Sequence, residues 1–297
     1  MKNYKYKIMK PTRREFILKA TETALFLGIA SNFGLLGCKK EDSPSVSNGT
    51  ATTPPPVIYE EVTIHHIRHA TSIIKIKGVT ILIDPLLTSN VNGTNLPMTN
   101  ADIDNLLNEV DIILLSHAHN DHIDSAKIAK LKNKPIFCQP ADAQILASMG
   151  FTNVKPISTN LPWKEITINR TPALHGKNTG FASSGYVLQA TGVKTIYITG
   201  DTIWYEEVEK TLTKYLPGIT IVNAGAEFSL TDPMTMTKEH VENVCTKAPN
   251  TQVVAVHMGF PTVSFWKETK ADLKTYLDSK NLSAVLIPNE GDVLKLS

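Results

Sequence analysis

Six consecutive residues, His117-Ala118-His119-Asn120-Asp121-His122, place three imidazoles and a carboxylate in one short segment. Further along come His175, Asp201 and His257, each following an apolar or β-rich run. Neutral imidazole and carboxylate suit zinc, iron or manganese, and an aspartate between two ions can bridge them while its charge offsets theirs. His117 and His119 are two apart at a predicted strand end, so in extended chain both side chains fall on one side and can meet one ion. Asp121 and His122 point elsewhere as the chain turns, placed to serve a second ion. Two ions sharing a water lower its pKa from about 15.7 to about 7, giving hydroxide at neutral pH. Loop-end residues in this spacing read as a ligand cluster rather than as separate surface or core histidines.

The elements that must position these residues are legible as short β-branched runs punctuated by turn signals. Strands are predicted over 62–67, 72–76 and 80–83 as consecutive antiparallel neighbours, then a helix over 101–108. A buried strand over 110–115 delivers its end to the histidine cluster. Helices follow over 125–132 and 141–149, with strands at 136–137, 165–169 and 185–189. The C-terminal half alternates strands 194–199, 220–223 and 252–256 with a helix after Asp201 and helices 238–247 and 267–277, and closes on strands 284–287 and 292–295. Meanders mixed with β-α units indicate layered sheets covered by helices.

The run at 117–122 resembles the H-x-H-x-D-H signature of the metallo-β-lactamase superfamily, and His175, Asp201 and His257 fall in the order of its remaining ligands. The resemblance extends from Val62 to the C-terminus. It implies an α/β protein with an αββα four-layer sandwich, its site at one edge. His117, His119 and His175 would hold one ion, Asp121, His122 and His257 the other, with Asp201 bridging. Arg68-His69-Ala70-Thr71, followed by Asp84-Pro85, resembles motifs of the branch containing N-acyl-phosphatidylethanolamine phospholipase D and L-ascorbate-6-phosphate lactonase, with Arg68 in place of the usual glycine. That likeness puts His69 near the site, facing substrate or supporting the ligands, a structural histidine being the alternative; Asp121 and His69 are the catalytic candidates. Asp84 reads as a hydrogen-bond acceptor that orients a ligand loop. His65 and His66 alternate on one strand and are assigned no role, and His240 is expected in solvent on a helix.

The first 38 residues read as an address. Basic residues including Arg13 and Arg14 precede an apolar stretch that ends at Leu35-Leu36-Gly37-Cys38, a signal-peptide layout too short for a membrane span. Its 12–19 segment resembles a twin-arginine signal and its end a lipobox, which implies an exported envelope lipoprotein tied to the membrane through acylated Cys38. Residues 39–56, polar and closing on three prolines, suit a flexible tether to a domain over 57–297. Cys138 and Cys245 form no CxxC pair, so neither a disulfide framework nor a thiolate zinc site is indicated.

A net charge of +2 with 42% hydrophobic residues excludes a disordered or multi-span chain and gives no warrant for nucleic-acid binding. The expected function is hydrolysis of an ester, lactone or phosphodiester of a small-molecule or lipid substrate, using two divalent ions, zinc by default and manganese as the alternative. The competing readings are a non-catalytic metal- or lipid-binding lipoprotein and a β-lactamase. Asp201 points away from the latter, because β-lactam-opening families generally lack such an aspartate. Loops 88–99 and 178–184 carry no recognisable specificity code.

Overall fold

Alternation along the strands decides the architecture. In 79–83, Val79, Ile81 and Ile83 belong to one buried cluster while Leu82 belongs to another. In 252–256, Val254 and Val256 face that first cluster while Val253 and Ala255 join a third. Strands apolar on both faces must be covered on both, which a period of two residues makes unavoidable. The computed structural model describes residues 58–91, 94–96, 98–258 and 266–297. Cys38, the signal-like segment and the tether lie outside the described residues.

In chain order the elements begin with β1 (Val62–Arg68), β2 (Thr71–Ile76), β3 (Val79–Ile83), β4 (Asn90–Val91), β5 (Thr94–Asn95), α1 (Asn100–Glu109), β6 (Ile112–Leu114), α2 (Ile128–Leu131), β7 (Ile136–Cys138), α3 (Ala143–Ser148) and β8 (Val154–Pro156). They continue as β9 (Asn160–Trp163), β10 (Ile166–Leu174), β11 (Ala182–Gln189), β12 (Ile196–Ile198), α4 (Glu206–Tyr215), β13 (Ile219–Asn223), β14 (Phe228–Ser229), β15 (Asp232–Pro233), α5 (Lys238–Lys247), β16 (Gln252–Val256), α6 (Lys270–Ser279) and β17 (Val293–Leu296).

One sheet has seven strands in the order β17-β1-β2-β3-β6-β7-β8, and the other has six in the order β16-β13-β12-β11-β10-β9. Ile64, Ile74, Ile81, Ile112, Ile168, Leu188, Ile196 and Ile221 pack between them. The outer face of the first sheet is covered by α1, α2 and α3 through Ile103, Leu107, Leu131 and Leu146. Helices α4, α5 and α6 cover the second through Val208, Leu212, Val241, Val244, Leu273 and Leu277. These are the four layers of an αββα sandwich.

The differences from the sequence reading have local causes. The helix expected over 125–132 is only Ile128–Leu131, because the Asp124 carboxylate accepts from the backbone of Leu87, Thr88 and Ala126 and holds the preceding turn out of the helix. The segment 284–287 makes a single bridge, Leu286 to Val254, rather than a strand. β8 and β9, each carrying a proline, add unread edge strands. Asp232 and Pro233 pair with Phe228 and Ser229 in the short β14-β15 hairpin, and Thr237 caps α5. His240 is half-buried rather than solvated, and its ring accepts from the Thr237 amide in that cap.

Candidate metal centre

The loops at one edge of the sandwich start where buried strands run out. β6 pairs in parallel with β3, so Asp84, just past β3, lies beside Ser116, just past β6. Asp84 Oδ1 accepts from the Ser116 amide at 2.7 Å, and Oδ2 accepts from the Ser116 hydroxyl at 2.8 Å and from His122 Nδ1 at 2.8 Å. Since a carboxylate only accepts, His122 carries its proton on Nδ1 and turns the Nε2 lone pair inward. His175, after β10, likewise donates from Nδ1 to the Met234 carbonyl at 3.0 Å. Asp201, after β12, is aimed by Asn223, whose amide donates to Oδ1 at 2.6 Å. Gly200 allows that approach: its φ is +61° and an added Cβ would lie 2.4 Å from the Ser184 carbonyl oxygen.

These inward-turned atoms fall into two sets, His117-His119-His175 and Asp121-His122-Asp201-His257, each with its ligand atoms within 4.8 Å of one another. Asp201 lies between them. Its Oδ2 is 3.7 Å from His117 Nε2 and 3.6 Å from His175 Nε2 on one side, and 3.2 Å from His122 Nε2 on the other. His257 Nε2 is 3.4 Å from Asp121 Oδ2, and His119 Nδ1 is 3.3 Å from His175 Nε2. All are buried except His119 and Asp121, which are partly exposed.

Among the described residues, the buried His117 Nε2 has no hydrogen-bond partner. His122 Nε2 and His257 Nε2 approach to 3.0 Å. With His122 Nδ1 committed to Asp84, that geometry satisfies both nitrogens only when a proton or a cation stands between them. Burial works against the charged form of Asp201, yet His122, His257 and His175 outweigh it and hold the carboxyl well below the usual range. Asp121 follows the same pattern: burial opposes its charge, and His122 and then hydrogen bonds from His257 and His69 outweigh it. Burial drives His117 well below its ordinary value. Burial also opposes the charged forms of His122 and His257, yet Asp201 and Asp121 outweigh it and hold His122 well above and His257 above the ordinary imidazole value, so an ion entering that set would displace protons.

His69 sits behind this group. Its Nε2 is 3.3 Å from Asp121 Oδ2, its ring lies 3.6 Å from that of His257, and its carbonyl accepts from the His257 amide at 2.8 Å. Burial and then His257 push its pKa down to about 3. His69 and His257 both hold left-handed backbone, at φ 48° and 68°, a strain that persists only where the surroundings over-determine it. Arg68 is buried, and its Nη1 donates to the Thr88 carbonyl at 2.8 Å, tying the β1-β2 turn to the loop after β3.

Two features at the mouth escaped the sequence reading. Glu227 offers a carboxylate oxygen within 4.8 Å of ligand atoms of His175 and Asp201. Burial and then Asp201 push its pKa up to about 7. A lone glutamate inside Ala-Gly-Ala-Glu-Phe carries no spacing cue. Phe181 packs edge-on against the His119 ring at 4.8 Å, and with the exposed Leu230 lines a cleft of about 370 Å³. An Asn178 to Asp232 hydrogen bond of 2.7 Å joins the two loops that form it.

A profile described as the beta-lactamase superfamily domain matches residues 79–258. The UPF0173 protein YddR of Bacillus subtilis is 30% identical over 250 residues, covering 77% of this chain and 98% of that one. A UPF0173 metal-dependent hydrolase of Pyrococcus abyssi is 31% identical, over 71% of this chain and 90% of its own. Among solved structures, a possible metal-dependent hydrolase from Veillonella parvula superposes with a TM-score of 0.73 at 29% identity, covering 80% of this chain and all of that one. An isothiocyanate hydrolase from Delia radicum gut bacteria superposes with a TM-score of 0.72 at 28% identity, over 78% and 98% of the respective chains.

Proposed function

The chain belongs to the metallo-β-lactamase superfamily, and on that premise we propose that it is a dinuclear metal-dependent hydrolase acting at an electrophilic carbon of a small organic substrate. Relatives named as metal-dependent hydrolases support the reaction class. The observation that carries the dinuclear reading is the sharing of Asp201 between two buried ligand sets. His117, His119 and His175 would hold one divalent ion, Asp121, His122 and His257 the other, and Asp201 would serve both. The orphaned His117 Nε2 and the facing nitrogens of His122 and His257 fit such occupancy. Bound there, two divalent ions supply Lewis acidity and bring the pKa of a shared water to about 7.

The protein's own groups define the remaining roles. Asp121 is the ligand carboxylate that reaches solvent, so its Oδ2 is placed to take a proton from the attacking water and return it to the leaving group. His69 Nε2 orients that oxygen from the buried side. Phe181 beside His119, with Leu230 in the same cleft, offers apolar surface among polar residues that include the Asp232 carboxylate, which favours an ester or lactone with an apolar substituent over a negatively charged phosphodiester. The isothiocyanate hydrolase adds a second electrophilic carbon to test. Export and anchoring through acylated Cys38, read from residues 1–38, complete the proposal.

Elemental analysis tests the centre. Two ions per chain are expected, falling in His119→Ala and in Asp201→Ala, with turnover of aryl and alkyl esters, lactones or isothiocyanates by the loaded protein. Metal-free protein as stable as its loaded form would sink the dinuclear reading. Two bound ions with no turnover across that panel would leave a metal-binding lipoprotein instead.

A further inference from the structure

Asp201 and Glu227 bring two carboxylates to one side of His175, with ligand atoms of all three within 4.8 Å of one another. Like charges this close repel unless a proton or a cation joins them. Among the described residues no hydrogen bond or ion pair reaches the Glu227 carboxylate, whose only bonds run through its backbone.

That backbone is held in place from several directions. The Glu227 amide donates to Thr235 Oγ1 at 2.8 Å, and its carbonyl accepts from the Met234 amide at 2.7 Å. Met234 also accepts from His175 Nδ1, so the same residue sets the His175 ring and the Glu227 backbone. Ala226 takes φ 45°, its amide donating to the Met236 carbonyl at 3.1 Å and its carbonyl accepting from Lys267 at 3.1 Å. Before it, Gly225 lies so close to the His257 carbonyl oxygen that a Cβ would stand 2.3 Å away. A non-glycine residue held left-handed, with its neighbours fixed by three surrounding segments, marks a conformation kept for what it positions.

We propose that Glu227 is an additional ligand of the ion held by His117, His119 and His175, and that it shifts the metal selectivity of that position from zinc toward manganese. The inference rests on the dinuclear reading above. Without Glu227 the position has three imidazoles and one shared carboxylate, the four donors of a tetrahedral zinc site. A fifth donor that is a carboxylate oxygen raises the coordination number and the share of hard ligands, both of which suit manganese better. The carboxylate meets the position through His175 and Asp201, the two ligands with which it shares the 4.8 Å cluster.

The test is competitive loading of the full chain with Mn²⁺ and Zn²⁺ buffered by a chelator, read by elemental analysis for wild type, Glu227→Gln and Glu227→Asp. The ratio of Mn²⁺ to Zn²⁺ affinity is expected to fall about tenfold in Glu227→Gln, in line with lost ligand-shell groups. Glu227→Asp, which keeps the charge on a shorter arm, is expected to recover part of it. Matching thermal unfolding of the metal-free proteins separates this effect from misfolding. An unchanged Mn²⁺ to Zn²⁺ ratio in Glu227→Gln, with both ions retained, overturns the proposal. If KM alone rises in that variant, the side chain faces substrate and the proposal is likewise overturned. A wild type that holds fewer than two ions removes the dinuclear reading itself, a result distinct from a failure of Glu227.

Discussion

Asp84 stands outside both ligand sets, yet the Ser116 amide, the Ser116 hydroxyl and His122 Nδ1 all depend on its two oxygens. Asp84→Asn keeps the shape but must present an amide N–H to a donor, leaving one buried group unpaired. The expected cost is about 1–3 kcal/mol of stability and a 10- to 100-fold loss of metal affinity, measured by denaturant unfolding and metal titration. A variant that binds metal as tightly as the parent would show that His122 needs no such support. Asp84 was legible in the sequence because Asp-Pro at a strand end is a recognisable pattern, and the ligand spacing of 117–122 stood out for the same reason. Glu227 was not, since its approach to His175 is created by a hairpin and a left-handed alanine that no local pattern announces.

At the scale of elements, the crossing of β12 into the loop that carries Asp201 depends on Gly200. Gly200→Ala combines a left-handed backbone with a 2.4 Å clash against the Ser184 carbonyl, which sits in β11 and cannot move alone. A loss of about 3 kcal/mol is expected from strain of this kind. Gly192→Ala, at φ +75° but with nothing nearer than 3.7 Å, is expected to cost about 1 kcal/mol. Equal unfolding midpoints for the two variants would remove the steric part of the argument. Elements whose apolar residues keep period were readable to the residue: α5 and β16 fall on 238–247 and 252–256. Elements decided by long-range pairing were not. β8 offers only Val154 with a lysine and a proline, and becomes a strand because β7 gives it an edge to pair with.

At the scale of the whole molecule, no helix among the described residues is long and apolar enough to cross a membrane, and the proposed attachment would rest on residues 1–38. Mass spectrometry of the mature protein is expected to find an N-terminal Cys38 carrying acyl chains, and Cys38→Ser is expected to move the protein from the detergent phase to the aqueous phase. An unmodified Cys38 within an intact leader would rule out anchoring. The centre itself is assembled from both sheets: His69 and the 117–122 run extend from the first, and His175, Asp201 and His257 from the second. No half of the chain owns a complete set. During synthesis the seven candidate ligands therefore cannot all meet until residue 257 has emerged and both sheets have met. A centre that fills as it closes would then sample the free metal of the compartment where the two sheets meet, with its ligand set choosing among the ions on offer.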